Sequence, residues 1–213
     1  MRYNASKVYV ALVRSDGDNL QIISGGQRDQ MEHRVRTCSF ATADNMAVAC
    51  PYQSWTLSNR LLPFAPGVLR WWYEQANKTG RDSFLFEPSG YGYNWASLIE
   101  PAAKEQQFAD DNANASTALH WPAYIHWDYA TVTGDAIKKY IGRLNGSAIQ
   151  AAFINFPTSL FIEEDWVRTV VLIGFHQALD LPPAHIAKAL NKLKPGSTSF
   201  LYQVWTGHWS PEN

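Results

Sequence analysis

Short apolar runs, each stopped by glycine, proline or acidic residues and followed by a helix-like stretch, recur along this chain and constrain its fold more than any other feature. The first run, residues 8–13 (VYVALV), is apolar at every position and stops at Arg14-Ser15-Asp16-Gly17-Asp18-Asn19. A strand with no polar face is buried on both sides, as in a parallel sheet covered by helices. Asp, Gly and Asn then end it. Comparable runs at residues 46–50, 83–86, 121–127, 149–156, 169–175 and 199–205 bring the expected strands to seven, with Pro122 suited to the entry of its strand. Helices are expected over 66–75, 95–110, 134–144 and 182–193. The first has Pro66 at its start and Gly80 beyond its end; the last is opened by Pro182-Pro183 and closed by Lys194-Pro195-Gly196. Strands alternating with helices imply parallel pairing through right-handed crossovers. Seven strands fall short of the eight of a complete barrel. The expected architecture is therefore one α/β domain over residues 1–213, a reduced or distorted (β/α) TIM-like barrel with mostly parallel strands. An open doubly wound sheet is the alternative.

Composition removes several function classes. A formal net charge of -1 offers no basic footprint for nucleic acid. The short basic stretch over residues 28–36 is broken by Asp29 and Glu32 and reads as a solvated segment. There is no run of about 18 apolar residues to span a membrane, and residues 8–13 are too short for a signal peptide. Cys38 and Cys50 permit one disulfide or two buried thiols. Acceptor sequences for N-glycosylation at Asn4, Asn77, Asn114 and Asn145 favour a secreted or otherwise extracytoplasmic chain. The nine tryptophans are the compositional anomaly. Indoles stack on the C–H faces of sugars and also fill cores, so each Trp is open to both readings.

Polar residues follow the expected strands in a consistent way. Asp16 and Asp18 follow the first, Glu87 the third, Asp128 the fourth and His176 the sixth, while Asn155 lies within the fifth. In parallel α/β folds the C-terminal strand ends form the active face, so these residues are expected to converge on one cleft. The competing reading is that they cap helices or shape turns.

Gly90-Tyr91-Gly92-Tyr93-Asn94-Trp95-Ala96 resembles the G-x-G-Y-x-Y-P signature of the family named for it, with Trp95 for the second Tyr and Ala96 for the Pro. Ser15-Asp16-Gly17-Asp18-Asn19 is similar to that family's motif after its first barrel strand. Trp55-Thr56, Leu62 and Ala65-Pro66 ahead of Trp71-Trp72-Tyr73 are similar to the segment between the two motifs. The family comprises candidate glycoside hydrolases whose members carry another domain ahead of the barrel. The resemblance implies carbohydrate processing, and a preceding N-terminal domain outside this chain.

Glycoside hydrolysis uses two carboxyl groups flanking the scissile bond. Asp16 or Asp18 is expected to supply one and Glu87 or Asp128 the other. Burial beside Tyr91, Tyr93 or Trp127 would suit the acid role. The expected sugar-binding residues are Asn19, Trp55, Tyr91, Tyr93, Trp95, Trp127, His176 and Trp205. Trp121, His208 and Trp209 are further aromatic or polar residues flanking the fourth and last strands. A non-catalytic carbohydrate-binding barrel is the alternative. No metal or other cofactor is expected. Asp16-Gly17-Asp18-Asn19 departs from the EF-hand template, with Gln27 where the loop needs Glu. A metal-dependent deacetylase ranks lower, because His33, His120, His126, His176, His185 and His208 include no pair four apart. Ser89 lacks the first glycine of a nucleophile elbow. The sequence is silent on the particular sugar and on oligomeric state.

Overall fold

The computed structural model describes residues 6, 9–14, 25–128 and 134–154 together with the segments 165–167, 170–174, 176–177 and 198–203. The strands are β1 (Tyr9–Arg14), β2 (Gln53–Leu57), β3 (Asp82–Phe86), β4 (Ala123–His126), β5 (Ala151–Ile154), β6 (Asp165–Val167), β7 (Val170–Gly174), β8 (His176–Gln177) and β9 (Thr198–Gln203). They form one sheet in the order β6-β7-β5-β4-β3-β2-β1-β9-β8, parallel throughout except for β6 against β7. β7 ends at Gly174 and β8 begins at His176, yet β8 is the last strand of that order and β7 is second from its other margin. Two residues reach only about 7 Å, so the sheet must curl to bring β7 and β8 near one another. The distorted, mostly parallel barrel expected from the strand–helix alternation is what the chain forms.

The helices are α1 (Gly26–Ser39), α2 (Met46–Ala49), α3 (Leu61–Phe64), α4 (Pro66–Thr79), α5 (Ala102–Leu119) and α6 (Gly134–Arg143), with a 3-10 turn at Ala96–Leu98. Among the described residues no helix is long and apolar enough to cross a membrane. α4 begins on Pro66 and ends where Gly80 takes a left-handed φ of 63°, the arrangement that Pro at a helix start and Gly past its end favour.

Two expected elements are corrected, and one helix is found where none was expected. Residues 46–50 are not a strand: Met46–Ala49 is a single helical turn, and Cys50 is disulfide-bonded to Cys38 at the end of α1. An apolar run of this length does not distinguish strand from helix. The second strand instead follows Pro51, at Gln53–Leu57. Residues 28–36 belong to α1, which buries Gln27, Gln30 and Met31 and so shows no continuous apolar stripe. The helix expected over 95–110 divides at Pro101 into the 3-10 turn and α5, and α5 runs on to Leu119.

Two apolar clusters sort the strand residues by face. Val13, Leu85, Ile125 and Phe153, with Ala123 and Trp127 against them, fill the barrel interior. Trp55, Leu57, Phe84, Phe86, Tyr124 and Ala152 face the helices and pack with Leu69, Trp72, Trp121 and Tyr140. Side chains alternate along a strand, so Thr56 and Glu87, each an even step from an inward position of the β2–β3 register, face the interior. Beneath the helix layer Asp82 gathers Arg34 Nε (2.7 Å), Trp55 Nε1 (2.7 Å) and the Thr79 hydroxyl. This tethers α1 and α4 to the N-terminal ends of β2 and β3.

Candidate functional site

The C-terminal ends of β2, β3 and β4 carry the chemistry. Glu87 follows β3 and is fully buried in the barrel mouth. Its Oε2 lies 2.8 Å from Thr56 Oγ1, which in turn lies 2.9 Å from the Arg14 carbonyl oxygen at the end of β1. Glu87 N donates to Leu57 O, so the β2–β3 pairing extends through Glu87 and fixes its inward direction.

The signature loop begins at once. Gly90 has a φ of 92°, a conformation that disfavours any side chain. Asn112 of α5 presses against it: its Oδ1 accepts Tyr91 N at 2.6 Å, and its Nδ2 donates to Ser89 O (3.2 Å) and Tyr140 Oη (3.0 Å). Arg60, in the turn after β2, donates from Nε to Tyr91 O at 2.6 Å and stacks over the Tyr91 ring at 5.8 Å. Ser89 Oγ donates to Trp127 O at 2.9 Å, binding the loop to the end of β4. The loop so held presents a rim. Tyr93 is 54% exposed with its ring 6.1 Å from Trp127, and Trp95 is 47% exposed. Tyr91 lies half-buried beneath Arg60. Sequence reasoning missed Thr56, Arg60 and Asn112 as parts of this site. Asn112 was hidden in the polar run Asp110-Asp111-Asn112, which reads as a helix end.

Asp128 does not join Glu87. Tyr124 and His126 face the helices, His126 stacking on Tyr140 with ring centroids 5.5 Å apart, and Asp128 lies on that same side of β4. It is 1% exposed, and its Oδ2 accepts His126 Nε2 (2.8 Å) and Ser97 N (3.3 Å). The Tyr124 hydroxyl contacts His126 Nδ1 at 2.8 Å. Burial, then the proximity of Tyr140 and Asp128, pushes the Tyr124 phenol well above its ordinary range. It therefore stays protonated, and Tyr124, His126 and Asp128 form a buried hydrogen-bonded chain through the two ring nitrogens. Asp128 is a buried anchor of β4, where a cleft carboxylate was expected.

Trp55 is likewise corrected. It is 1% exposed, lies 5.3 Å from Trp72 and donates to Asp82, so it is core. Trp121, 2% exposed between Phe84 and Phe86, is core as well. Replacing Trp55 by Ala should cost about 3–5 kcal/mol of stability, read from denaturant midpoints. A loss of sugar binding at unchanged stability would contradict this placement. Asp16, Asp18, Asn19, Asn155, Trp205, His208 and Trp209 lie outside the described residues, and of His176 only the backbone, at the start of β8, is described. Among the described residues no three His, Cys, Asp or Glu side chains gather as metal ligands.

The buried phenols give a pH expectation. Tyr140 is raised above its ordinary value by burial first, against a hydrogen bond from Asn112 that lowers it, and Tyr124 is raised by burial as well. Above about pH 10 the unfolded chain releases protons that the folded chain keeps. Their contribution is thus complete below about pH 10 and is lost as pH climbs toward the folded values. Urea midpoints should hold to about pH 9 and drop by pH 11. The drop should be smaller in a Tyr124→Phe/Tyr140→Phe variant; an equal drop would contradict the assignment.

Fold and site together define a (β/α) barrel whose mouth holds a buried glutamate beneath an aromatic rim. The chain belongs to the family described as the GxGYxYP putative glycoside hydrolase C-terminal domain, whose model matches residues 6–204. No curated protein sequence matches it. Among solved structures it is similar to a putative hydrolase from Bacteroides thetaiotaomicron VPI-5482, with a TM-score of 0.69 and 19% identity over 92% of this chain. The chain spans only 38% of that structure's length. It is also similar to a putative polysaccharide deacetylase from Mycobacterium smegmatis (TM-score 0.54, 9% identity, 95% of this chain and 78% of that one). A 4-alpha-glucanotransferase from Thermococcus litoralis follows (TM-score 0.53, 10% identity, 94% and 34%). At these identities the likeness is one of fold.

Proposed function

We propose that this domain hydrolyses glycosidic bonds of a poly- or oligosaccharide bound across the C-terminal strand ends. Glu87 supplies one carboxyl group, and Asp16 or Asp18, both of which follow β1 in the sequence, supplies the other. The observation that carries this reading is the burial of Glu87 in the barrel mouth beside an accessible aromatic rim. A carboxyl group withdrawn from water near stacking surfaces is what glycosidic chemistry asks of a site. Tyr93, Trp95 and Trp127 offer faces to sugar rings, and Tyr91 stiffens the loop under Arg60. Membership of the GxGYxYP family supports the substrate class. The Cys38–Cys50 disulfide supports an extracytoplasmic setting.

The test is to incubate the purified chain with a polysaccharide panel and to measure binding and new reducing ends, beside an Asp16→Asn/Asp18→Asn variant and a Tyr93→Ala/Trp127→Ala variant. The carboxylate variant should bind and fail to cut. The aromatic variant should bind about tenfold or more weakly, as expected when stacking worth roughly 1 kcal/mol or more per ring is lost. Release by the Asp16→Asn/Asp18→Asn variant at the wild-type rate would overturn the pairing. Binding without cutting by the wild type would make this a sugar-binding barrel.

A further inference from the structure

The barrel carries a second opening at the N-terminal ends of β2 and β3, opposite the mouth that holds Glu87. Ser54 and Ser83 are register partners there. Each stands two residues before an inward-facing residue, Thr56 or Leu85, so both point into the barrel. Tyr52 and Arg81 come two residues earlier in the same inward rows, and Gln53 N donates to Arg81 O to extend the pairing. The layers inside a (β/α) barrel are ordinarily filled by bulky branched side chains. Two serines do not fill this one. A cavity of about 350 Å³ remains, with Leu12, Tyr52, Ser54, Gly80, Arg81 and Ser83 in its lining.

The lining is chemically selective. Ser54 Oγ and Ser83 Oγ lie 2.9 Å apart and bond to one another, which leaves this pair further donor and acceptor capacity toward the cavity. Asp82 also borders the cavity, but its carboxylate has no exposed surface and is engaged in the helix layer by Arg34, Trp55 and Thr79. Arg81 is the uncompensated charge. Among the described residues it makes no ion pair, and its guanidinium stacks over the Tyr52 ring at 4.6 Å from the centroid. Such stacking orients the guanidinium and leaves its N–H edge for a ligand. Tyr52 is itself 66% exposed and keeps ring surface for contact. We propose that this opening binds a carboxylated sugar, a hexuronate unit. The carboxylate lies along the Arg81 edge, ring hydroxyls bond to the Ser54–Ser83 pair, and a C–H face rests on Tyr52. The volume stands near the lower limit of roughly 300–1,000 Å³ for small-ligand pockets, which suits a single sugar unit. With Asp82 engaged, the described lining offers no carboxylate for chemistry, so the opening binds without cutting. It stands apart from the glycosidase reading of Glu87.

The test is a titration of the isotope-labelled chain with sodium glucuronate, read by NMR of the backbone amides, beside equal titrations with glucose and with acetate. Glucuronate should produce saturable shifts at residues 52–54 and 80–83. Glucose and acetate should each bind there about tenfold or more weakly, because one lacks the charge and the other the ring. Arg81→Gln should weaken glucuronate by about tenfold or more, as loss of a charge-assisted contact does. Ser83→Val fills the cavity with a side chain at home in a strand, so it should abolish the shifts while the rest of the amide spectrum stays in place. The Tyr93→Ala/Trp127→Ala variant should bind glucuronate at residues 52–54 and 80–83 undiminished, which separates this opening from the mouth. No shift at these residues, glucose or acetate bound there as tightly as glucuronate, or undiminished binding in either Arg81→Gln or Ser83→Val would overturn the proposal.

Discussion

Glu87→Gln is expected to lower the turnover of sugar release about a thousandfold, within the range of roughly 10²–10⁴ that a positioned proton donor contributes, while affinity for the saccharide changes less than threefold. The amide keeps the volume of the carboxyl group and its place beside Thr56, so the barrel mouth is preserved. What it cannot do is surrender a proton to a departing oxygen. A saccharide with a good leaving group needs that proton less, so the deficit should shrink on an activated aryl glycoside. Parallel measurement of kcat and KM on both substrates checks this. A loss confined to KM would mean that Glu87 acts in binding alone, and an equal kcat deficit on both would mean that it is not the proton donor of the pair.

Gly90→Ala is expected to destabilise the fold by about 4 kcal/mol, toward the upper end for single substitutions. An added Cβ would lie 2.1 Å from Asn112 Oδ1, on a backbone with φ of 92°. Relief requires Asn112 to withdraw, and that breaks its buried hydrogen bonds to Tyr91 N, Ser89 O and Tyr140. Gly92 offers a contrast within the same motif. A Cβ there meets the Nη2 of the exposed Arg60 side chain at 2.9 Å, which can move aside, so Gly92→Ala should cost less than about 1 kcal/mol. Asn112→Ala by itself should cost about 2 kcal/mol. Because it also vacates the space, the Gly90→Ala/Asn112→Ala pair should cost clearly less than the sum. Urea midpoints of the four variants check this, and strict additivity would contradict the proposed contact.

Most of the barrel was legible because its strands are short, apolar and bounded by strong turn residues. Residues 83–86 and 169–175 needed only that. β2 was missed because it opens with Gln53-Ser54 and carries Thr56 inward, so it lacks an apolar run. α1 was missed because it buries Gln27 and Gln30 where an amphipathic stripe would show leucines. The site was legible by half for a reason of parity. The rule that polar residues after strands face the cleft ignores side-chain alternation. Glu87 stands two residues beyond the inward Leu85 and turns inward with it; Asp128 stands two beyond His126 on the opposite face and turns away. Trp55 fails by the same rule, one residue before the inward Thr56. The partners that hold the loop, Asn112 and Arg60, come from a helix and a turn far away in sequence, and no local pattern reveals them.

The central claim is that the mouth of this barrel cuts the saccharide it binds. The most direct measurement is the appearance of new reducing ends when the wild-type chain meets a panel of polysaccharides, with Glu87→Gln as the matched blank and binding recorded in the same samples. The account expects at least one polysaccharide to be bound by both proteins and cut by the wild type alone. A polysaccharide bound equally by both and cut by neither, or cut equally by both, would contradict it.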